Sequence, residues 1–578
     1  MQLLRSTATA LPGRRRTLAF ASVAVLLAAA DTYVVVLALP DMMLGVGLGI
    51  DELQRATPII SAFLLGYVVT LPLIGRIADL RGCRSVLIGC LLLFGLGCLI
   101  TAASTDLATL VTGRALQGIG GGGLVPATLA LVAQAWPAER RGLPLGVVGA
   151  VQETGAVLGP LLGAGVLAVS GWRAIFWANL AGAALLWLGL SLTPSPHPPR
   201  PGVNGRTSVS WALAALAVSS LALFLLAPSS LVNGITTGQA WVPLADGHDW
   251  SAPLAVLAVG LGVAGLTLGG LGIRLGELIE QVDVAGALLL AGTLAGLVLT
   301  FATADPQVGV VSPNAALLLP GSALMAVGFA IRQRTARAPL IPTGTLAERA
   351  AWGALVVNLL VGAALVAALV DVPVFARSTT QHDQLGAALV LVRLLVAVPI
   401  GALAGGWVIR RWPAHHVAAT GMLLAALGLA GMTRWGDGTL GAAGGLGGSL
   451  ELVATGFGFG LAIAPVNAAL LASTRPEVHG VASALVVVAR MIGMLAGLSV
   501  LTAVGLRVFY RAQNRIGTVL DVCPATPTNC PAYTTATHTA ILSELHAIFA
   551  GAAACAAVAA VLCLLLLRNH QRGRGFPA

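Results

Sequence analysis

The chain contains no lysine, so all 32 of its Lys+Arg residues are arginine. That absence removes the P-loop lysine, the kinase lysine and every Schiff-base mechanism. Charge is scarce too, at 9% of 578 residues, against roughly 25% in a soluble domain. Seven cysteines (Cys83, Cys90, Cys98, Cys523, Cys530, Cys555 and Cys563) include no C-x-x-C pair, and the adjacent His415 and His416 have no ligand-type residues close by. No metal centre and no cofactor is expected from that pattern. What the chain has in quantity is apolar: 57% hydrophobic residues and a mean hydropathy of +0.91. Water cannot be its main solvent; a bilayer can. The formal charge of +10 does not signal nucleic acid, because such footprints cluster on a face or an arm, whereas these arginines come in ones to threes between long apolar stretches.

A helix needs about 20 apolar residues to cross the hydrocarbon core. Runs of that kind fall near 17–39, 54–74, 85–104, 107–134, 142–169 and 173–193, followed by the proline-rich break at 193–202. Four more lie near 208–228, 251–273, 283–304 and 314–331, and a last six near 352–372, 386–409, 415–433, 449–473, 480–505 and 540–567. The expectation is an all-α polytopic membrane protein of about sixteen spans, with fourteen as the alternative if the two least certain runs, 208–228 and 251–273, do not both cross. Its parts are an N-terminal six-helix bundle (1–193), a linker with an inserted helix pair (194–282), a second helix pair (283–349) and a C-terminal six-helix bundle (350–578) with an external loop at 506–539. The first run follows Arg14, Arg15 and Arg16 but contains Asp31 and outlasts a signal peptide, so it reads as a retained span.

Orientation follows from the arginines, since cytoplasmic loops keep positive charge. One set of alternate loops holds only Arg55, Arg173, Arg377, Arg434, Arg507, Arg511 and Arg515. The other set holds roughly three times as many, which places both termini in the cytoplasm. The polar run from Cys523 to Cys530 then faces an oxidising exterior, where those two cysteines are expected to pair.

Two bundles flanking a middle section suggest halves that rock about a central site. The internal repeat is faint; its clearest echo links 72–84 with 399–411, each beginning at a proline and ending in arginine. Between the second and third spans, Gly75, Asp79, Gly82 and Arg84 form G-x-x-x-D-x-x-G-x-R, read as a tight cytoplasmic turn that latches the neighbouring bundle. In the fifth run Gly155, Gly159 and Gly163 recur every fourth residue on one helical ridge, and Pro160 is expected to kink it into a hinge. The run Gly120 to Gly123 reads as close helix packing rather than a phosphate loop, because no Gly-Lys-Ser/Thr follows it.

The sharpest charges lie inside apolar runs: Asp31, Arg114 (with Gln117), Glu153, Arg393 and Arg490. A carboxyl that is dry in one conformation and wet or arginine-paired in another binds protons unequally in the two, so protonation biases the equilibrium between them. Asp31 and Glu153 are therefore the candidate proton-coupling acids, and Arg114, Arg393 and Arg490 their candidate partners. A charge pair between bundles is expected, with Arg490 facing either Glu153 or Asp31; the residues alone leave that choice open. Asp371 and Glu451, near span ends, read as solvated or capping. Trp172, Trp177 and Trp352 read as interface anchors.

Taken together, 30–40 (ADTYVVVLALP), 75–84 (GRIADLRGCR), 113–118 (GRALQG), 155–163 (GAVLGPLLG) and 172–180 (WRAIFWANL) resemble the major facilitator superfamily, in its drug:proton antiporter branch with two extra helices between the halves. Within that branch, 31–36, 149–161, 283–292, 391–407 and 479–497 are similar to the mycobacterial triacylglycerol exporters that work with a periplasmic lipoprotein. The resemblance implies a proton-driven exporter in which Asp31, Glu153 and Arg490 couple and gate, 283–304 and 314–331 form the linker pair, and 208–228 with 251–273 are a further insertion. It also implies a periplasmic projection between the third and fourth spans of the second half. Here that loop is the short glycine-rich 434–448, and the long polar 506–539 is the external extension available instead.

The resulting expectation is a monomeric secondary transporter of the inner membrane, not an enzyme. It exports lipophilic cargo, acyl lipid such as triacylglycerol first and amphiphilic drugs as the alternative, in exchange for protons. A passive scramblase and a lipid-linked transferase are the rival classes. The transferase fits poorly, because catalytic acids or histidines of that class sit in polar loops, whereas the sharp charges here are inside spans.

Overall fold

Hydrocarbon offers no partner to backbone N–H and C=O groups, so apolar runs that enter it close their hydrogen bonds internally as helices. A computed structural model describes residues 13–48, 53–137, 140–193, 213, 216–224, 229–233, 237–242, 252–268, 283–302, 311–336, 338–342, 344–379, 384–440, 445–523 and 530–568. Every regular element among those residues is helical.

The first bundle comprises α1 (Gly13–Gly45), α2 (Leu53–Arg81), α3 (Cys83–Ala103), α4 (Leu107–Ala135), α5 (Gly142–Val169) and α6 (Arg173–Leu192). After it come α7 (Pro253–Leu268) and the antiparallel pair α8 (Val284–Ala302) and α9 (Ala315–Thr335). The second bundle comprises α10 (Arg349–Thr379), α11 (Gln384–Val408), α12 (Ala414–Met432), α13 (Gly445–Ala472), α14 (His479–Ile516) and α15 (Pro531–Leu566). Twelve of the described helices are long and apolar enough to cross a membrane. Two more, α1 with 33 residues and α5 with 28, pack among them. The protein is thus a multi-pass membrane protein. The runs at 208–228 and 251–273 lie partly outside the described residues; what is described of them is helix at 216–224 and the 16-residue α7.

The internal repeat, faint in the residues, is plain in the packing. In the first bundle α4 lies along α2 and α3, α1 along α5, and α3 along α6. In the second, α13 lies along α11 and α12, α10 along α14, and α12 along α15. Position for position this is one network used twice. The interfaces between bundles obey the same correspondence, α5 on α11 and α14 on α2. The α8–α9 pair leans on α2 and α14 from outside, burying Ala287 and Leu340 against Leu73 and Leu80.

Glycines set how closely these helices approach, and their partners change along α5. Near its start, a Cβ on Gly142 would stand 2.6 Å from the Gly406 carbonyl oxygen, and one on Gly146 2.7 Å from that of Ala402, both in the opposite bundle. Farther along, Gly155, Gly159 and Gly163 meet Leu26, Ala30 and Val34 of α1 in their own bundle. Helix α14 repeats the switch: Gly480 meets Gly75 of α2, whereas Gly493 and Gly497 meet Leu359 and Ala363 of α10. The bundles are therefore sealed together at the end that carries both chain termini. Toward the other end, each of these helices is sealed to its own half.

A side chain at Gly146 has to push the seam apart. We expect Gly146→Val to make a cysteine at Ala402, fully buried in the wild type, react with a thiol reagent above the background of the native cysteines. Unchanged labelling contradicts the seam.

Candidate functional site

Three polar constellations interrupt the apolar interior. The first is built within the N-terminal bundle around Asp31 and Arg114, which are 0% and 1% exposed. An ionised carboxylate or guanidinium taken out of water is tolerated only when paired and hydrogen-bonded, and here both conditions are met. Arg114 Nη1 on α4 donates to Asp31 Oδ2 on α1 at 2.8 Å and to Gln117 Oε1 at 3.0 Å. Asn179 Nδ2 on α6 donates to Asp31 Oδ1 at 2.7 Å, and Thr101 Oγ1 on α3 to Gln117 Oε1 at 3.1 Å. The guanidinium lies 4.3 Å from the centroid of the Phe63 ring on α2, a cation–π contact that offsets part of its desolvation. Five of the bundle's six helices thus converge on one ion pair. Asn179 was not among the expected site residues; its only signal is a lone amide in the apolar run 172–180.

The second constellation crosses between the bundles. Arg490 Nη2 on α14 donates to Glu153 Oε1 on α5 at 2.6 Å, with the side chains 13% and 10% exposed. That resolves the choice left open by the residues: Arg490 pairs with Glu153, and Asp31 is taken by Arg114 inside its own half. Glu153 stands between Gly149, which meets Ile463 of the opposite bundle, and Gly155, which meets α1. The ion pair marks the level at which α5 changes partners.

The third lies at the termini end. Asp79, in the last turn of α2, accepts from the backbone N–H of Gly480 (Oδ1, 2.7 Å) and of Val481 (Oδ2, 3.1 Å). Those amides open α14, so Asp79 acts as an N-cap supplied by the other bundle, favoured also by the helix dipole. Gly75 allows the approach, because a Cβ there would sit 2.5 Å from the Gly480 carbonyl oxygen. Gly82 makes the following turn at φ 89°, a conformation that side chains other than glycine resist. Arg84 does not join the latch: its Nη2 donates to the carbonyls of Leu190 (2.8 Å) and Thr193 (2.5 Å), closing the C-terminus of α6.

Other expected residues lie elsewhere. Arg393 is exposed and donates to Ser449 Oγ at 2.7 Å, away from both acids. Asp371, expected to be solvated, is only 6% exposed, because α10 runs on to Thr379 and carries it inside. Glu451 is neither capping nor solvated in the expected way; it accepts the indole N–H of Trp435. Trp172 is 4% exposed and packs edge-on against Phe176, so it is a core residue, whereas Trp352 is exposed. The Pro160 side chain lies outside the described residues, and the helix continues through that position. Cys523 and Cys530 are joined by a disulfide at the far end from the termini. Among the described residues no group of three His, Cys, Asp or Glu is placed to hold a metal.

Removing one partner of a buried pair strands the other charge at a cost of about 3–5 kcal/mol. We expect Glu153→Gln and Arg490→Met each to destabilise the protein in detergent by about that amount, and the double substitution to cost less than the sum. Strict additivity in the unfolding midpoints excludes the contact.

Comparison with known proteins bears on the family and the fold. The family model described as Major Facilitator Superfamily matches residues 21–334. A protein of Mycobacteroides abscessus named triacylglyceride transporter is 35% identical over 87% of this chain and 85% of its own length. Another of that name from Mycolicibacterium hassiacum is 34% identical over 95% and 91%, and one from Mycobacterium tuberculosis 34% identical over 86% and 83%. Among solved structures, the human organic anion transporter MFSD10 (TETRAN) superposes with a TM-score of 0.52 at 15% identity, covering 96% of this chain and 100% of that one. That likeness speaks for the fold alone.

Proposed function

Because the chain belongs to the major facilitator superfamily and is a transporter rather than an enzyme, we propose that it exports lipophilic cargo by proton-coupled alternating access, with acyl lipid such as triacylglycerol as the main substrate class. The observation that carries this reading is the Glu153–Arg490 ion pair at 2.6 Å between the bundles, at the level where the glycine seams change partners. A proton delivered to Glu153 cancels the charge that holds Arg490. The termini-end seam then rests on packing and on the Asp79 cap, and the bundles are free to rock. Loss of the proton on the other side restores the pair and the original arrangement. Asp31, bonded to α4 and α6 through Arg114 and Asn179, is the second coupling acid. Its protonation loosens the first bundle internally rather than at the interface.

The arginine asymmetry supports an inner-membrane orientation with both termini in the cytoplasm. Helix α14, with 38 residues, is about 57 Å long against a hydrocarbon core of about 30 Å. Together with α15, tied at its start by the Cys523–Cys530 bridge, it projects outward where a periplasmic lipoprotein could receive the lipid. The names of the mycobacterial relatives favour lipid over drug, and so does the shortage of charged and aromatic residues that would recognise a polar or cationic solute. The chain carries out this cycle as a monomer, each half supplying one side of the interface.

Purified protein in vesicles tests the reading. With a pH gradient imposed, labelled triacylglycerol is expected to move against the proton flow, and Glu153→Gln is expected to abolish the dependence on the gradient. Lipid movement indifferent to the gradient removes the coupling, and gradient-driven dye efflux with no lipid movement favours a drug antiporter.

A further inference from the structure

The charges given a part in coupling above lie in the first bundle or at the interface. The second bundle holds an acid that this mechanism does not use. Asp371 on α10 is 6% exposed, and among the described residues its carboxylate has no hydrogen bond or ion pair. Helix α15, which packs along α10, carries a second acid, Glu544. Glu544 is half-buried, and its stem lies over Gly505 of α14, where a Cβ would stand 3.1 Å from its Cγ.

Counting 22 residues along α10 from Arg349 and 22 back along α15 from Leu566 puts Asp371 and Glu544 at similar depths, both toward the disulfide end. Among the described residues, the other ionisable groups of the neighbouring elements are bonded elsewhere or exposed, His538 also pairing with the exposed Asp437. On α13, Glu451 holds the Trp435 indole; on α15, His546 bonds the Trp435 carbonyl and His538 that of Ser378. Arg377 of α10, Arg393 of α11 and Arg507 of α14 are exposed. The buried rings of Phe375, one turn beyond Asp371 on α10, Trp435 and Phe549 pack tilted and edge-on, with 5.1 and 5.9 Å between centroids.

A buried carboxyl with no cation partner and a second acid on the neighbouring helix resolves its charge by binding a proton. We propose that Asp371 and Glu544 form a second proton-binding site of the transporter, in which the dry Asp371 carboxyl stores a proton taken from water on the disulfide side through Glu544. The step is a simple exchange: hydronium protonates a Glu544 oxygen and leaves water, and that proton passes to an Asp371 oxygen. This inference rests on the proton-coupled reading above and adds to it a storage site on the side from which protons enter. About 13 Å along α10, at 1.5 Å per residue, separates Asp371 from Gly362, against which the Arg490 backbone packs. The two sites are therefore distinct.

Infrared spectroscopy of the full-length protein in lipid vesicles reads the stored proton directly. The carbonyl stretch of a protonated, water-free carboxyl is expected in the wild type at neutral pH, absent in Asp371→Asn, and retained at a shifted position in Asp371→Glu. A wild-type band in Asp371→Asn overturns the site, whatever the transport data show. In the vesicle transport assay, Asp371→Asn is expected to lower the number of protons exchanged per lipid, whereas Glu153→Gln abolishes coupling. An unaltered proton-to-lipid ratio in Asp371→Asn, with coupling still lost in Glu153→Gln, removes the second site and leaves proton-driven export standing. A wild type without gradient dependence removes the transport reading, and the infrared band then decides the site alone.

Discussion

The ion pair between Glu153 and Arg490 is the constraint on which the arrangement of the two bundles depends. Lipid gives helices no hydrophobic reason to associate, so bundles in a membrane are held by close packing and by polar contacts. Among the described residues, the packing between these halves includes glycine seams at one end, and the polar contacts include this pair and one helix cap. Under the proton-coupled reading proposed above, a single protonation event would remove the electrostatic part and leave the packing untouched.

Its placement matters as much as its strength. Had Glu153 stood two turns nearer the start of α5, it would lie within the seam, and its protonation would act on packing that is already tight. Two turns later it would face α1 and have no influence on the opposite bundle. It stands where the glycine contacts of α5 pass from one half to the other. The glycines of α14 make the same change around Arg490, so the pair occupies a pivot defined by both helices. The Asp31–Arg114 pair is different in kind. With four further polar or aromatic partners drawn from the same bundle, it ties five helices of one half together.

Much of the fold was legible in the sequence, because span length and loop arginines are one-dimensional signals that the bilayer imposes directly. Which side chains meet was less legible. Arg393 and Arg490 look alike in sequence, each an arginine in an apolar run, yet one is exposed beside Ser449 and the other is paired between bundles. A helix that is apolar all round gives no periodicity from which to tell its lipid face from its inner face. Asp371 looked solvated because it falls near the end of a hydropathy run, but the helix outlasts the run. Arg84 was grouped with Asp79 by spacing, although its partners on α6 are more than a hundred residues away in the chain. Asn179 was invisible for the converse reason: an amide carries no charge to mark it, and its importance comes entirely from facing Asp31.

The repeat also shows where the two halves have parted company. The α2–α14 and α11–α5 seams are related by the internal correspondence, with Gly75 facing Gly480 as Gly406 faces Gly142. Four residues beyond Gly75 stands Asp79, capping α14; four residues beyond Gly406 stands Arg410, which is exposed. A cation cannot cap a helix N-terminus, where the dipole is positive, and α5 accordingly begins at Arg141 without a side-chain cap. Arg141 instead turns back to the carbonyls of Ala133 and Trp136 that end α4. Among the described residues, one seam therefore carries a charged cap at its helix start and its mate does not. That difference traces to one position in each half, the residue four places after the seam glycine, an acid in the first half and an arginine in the second.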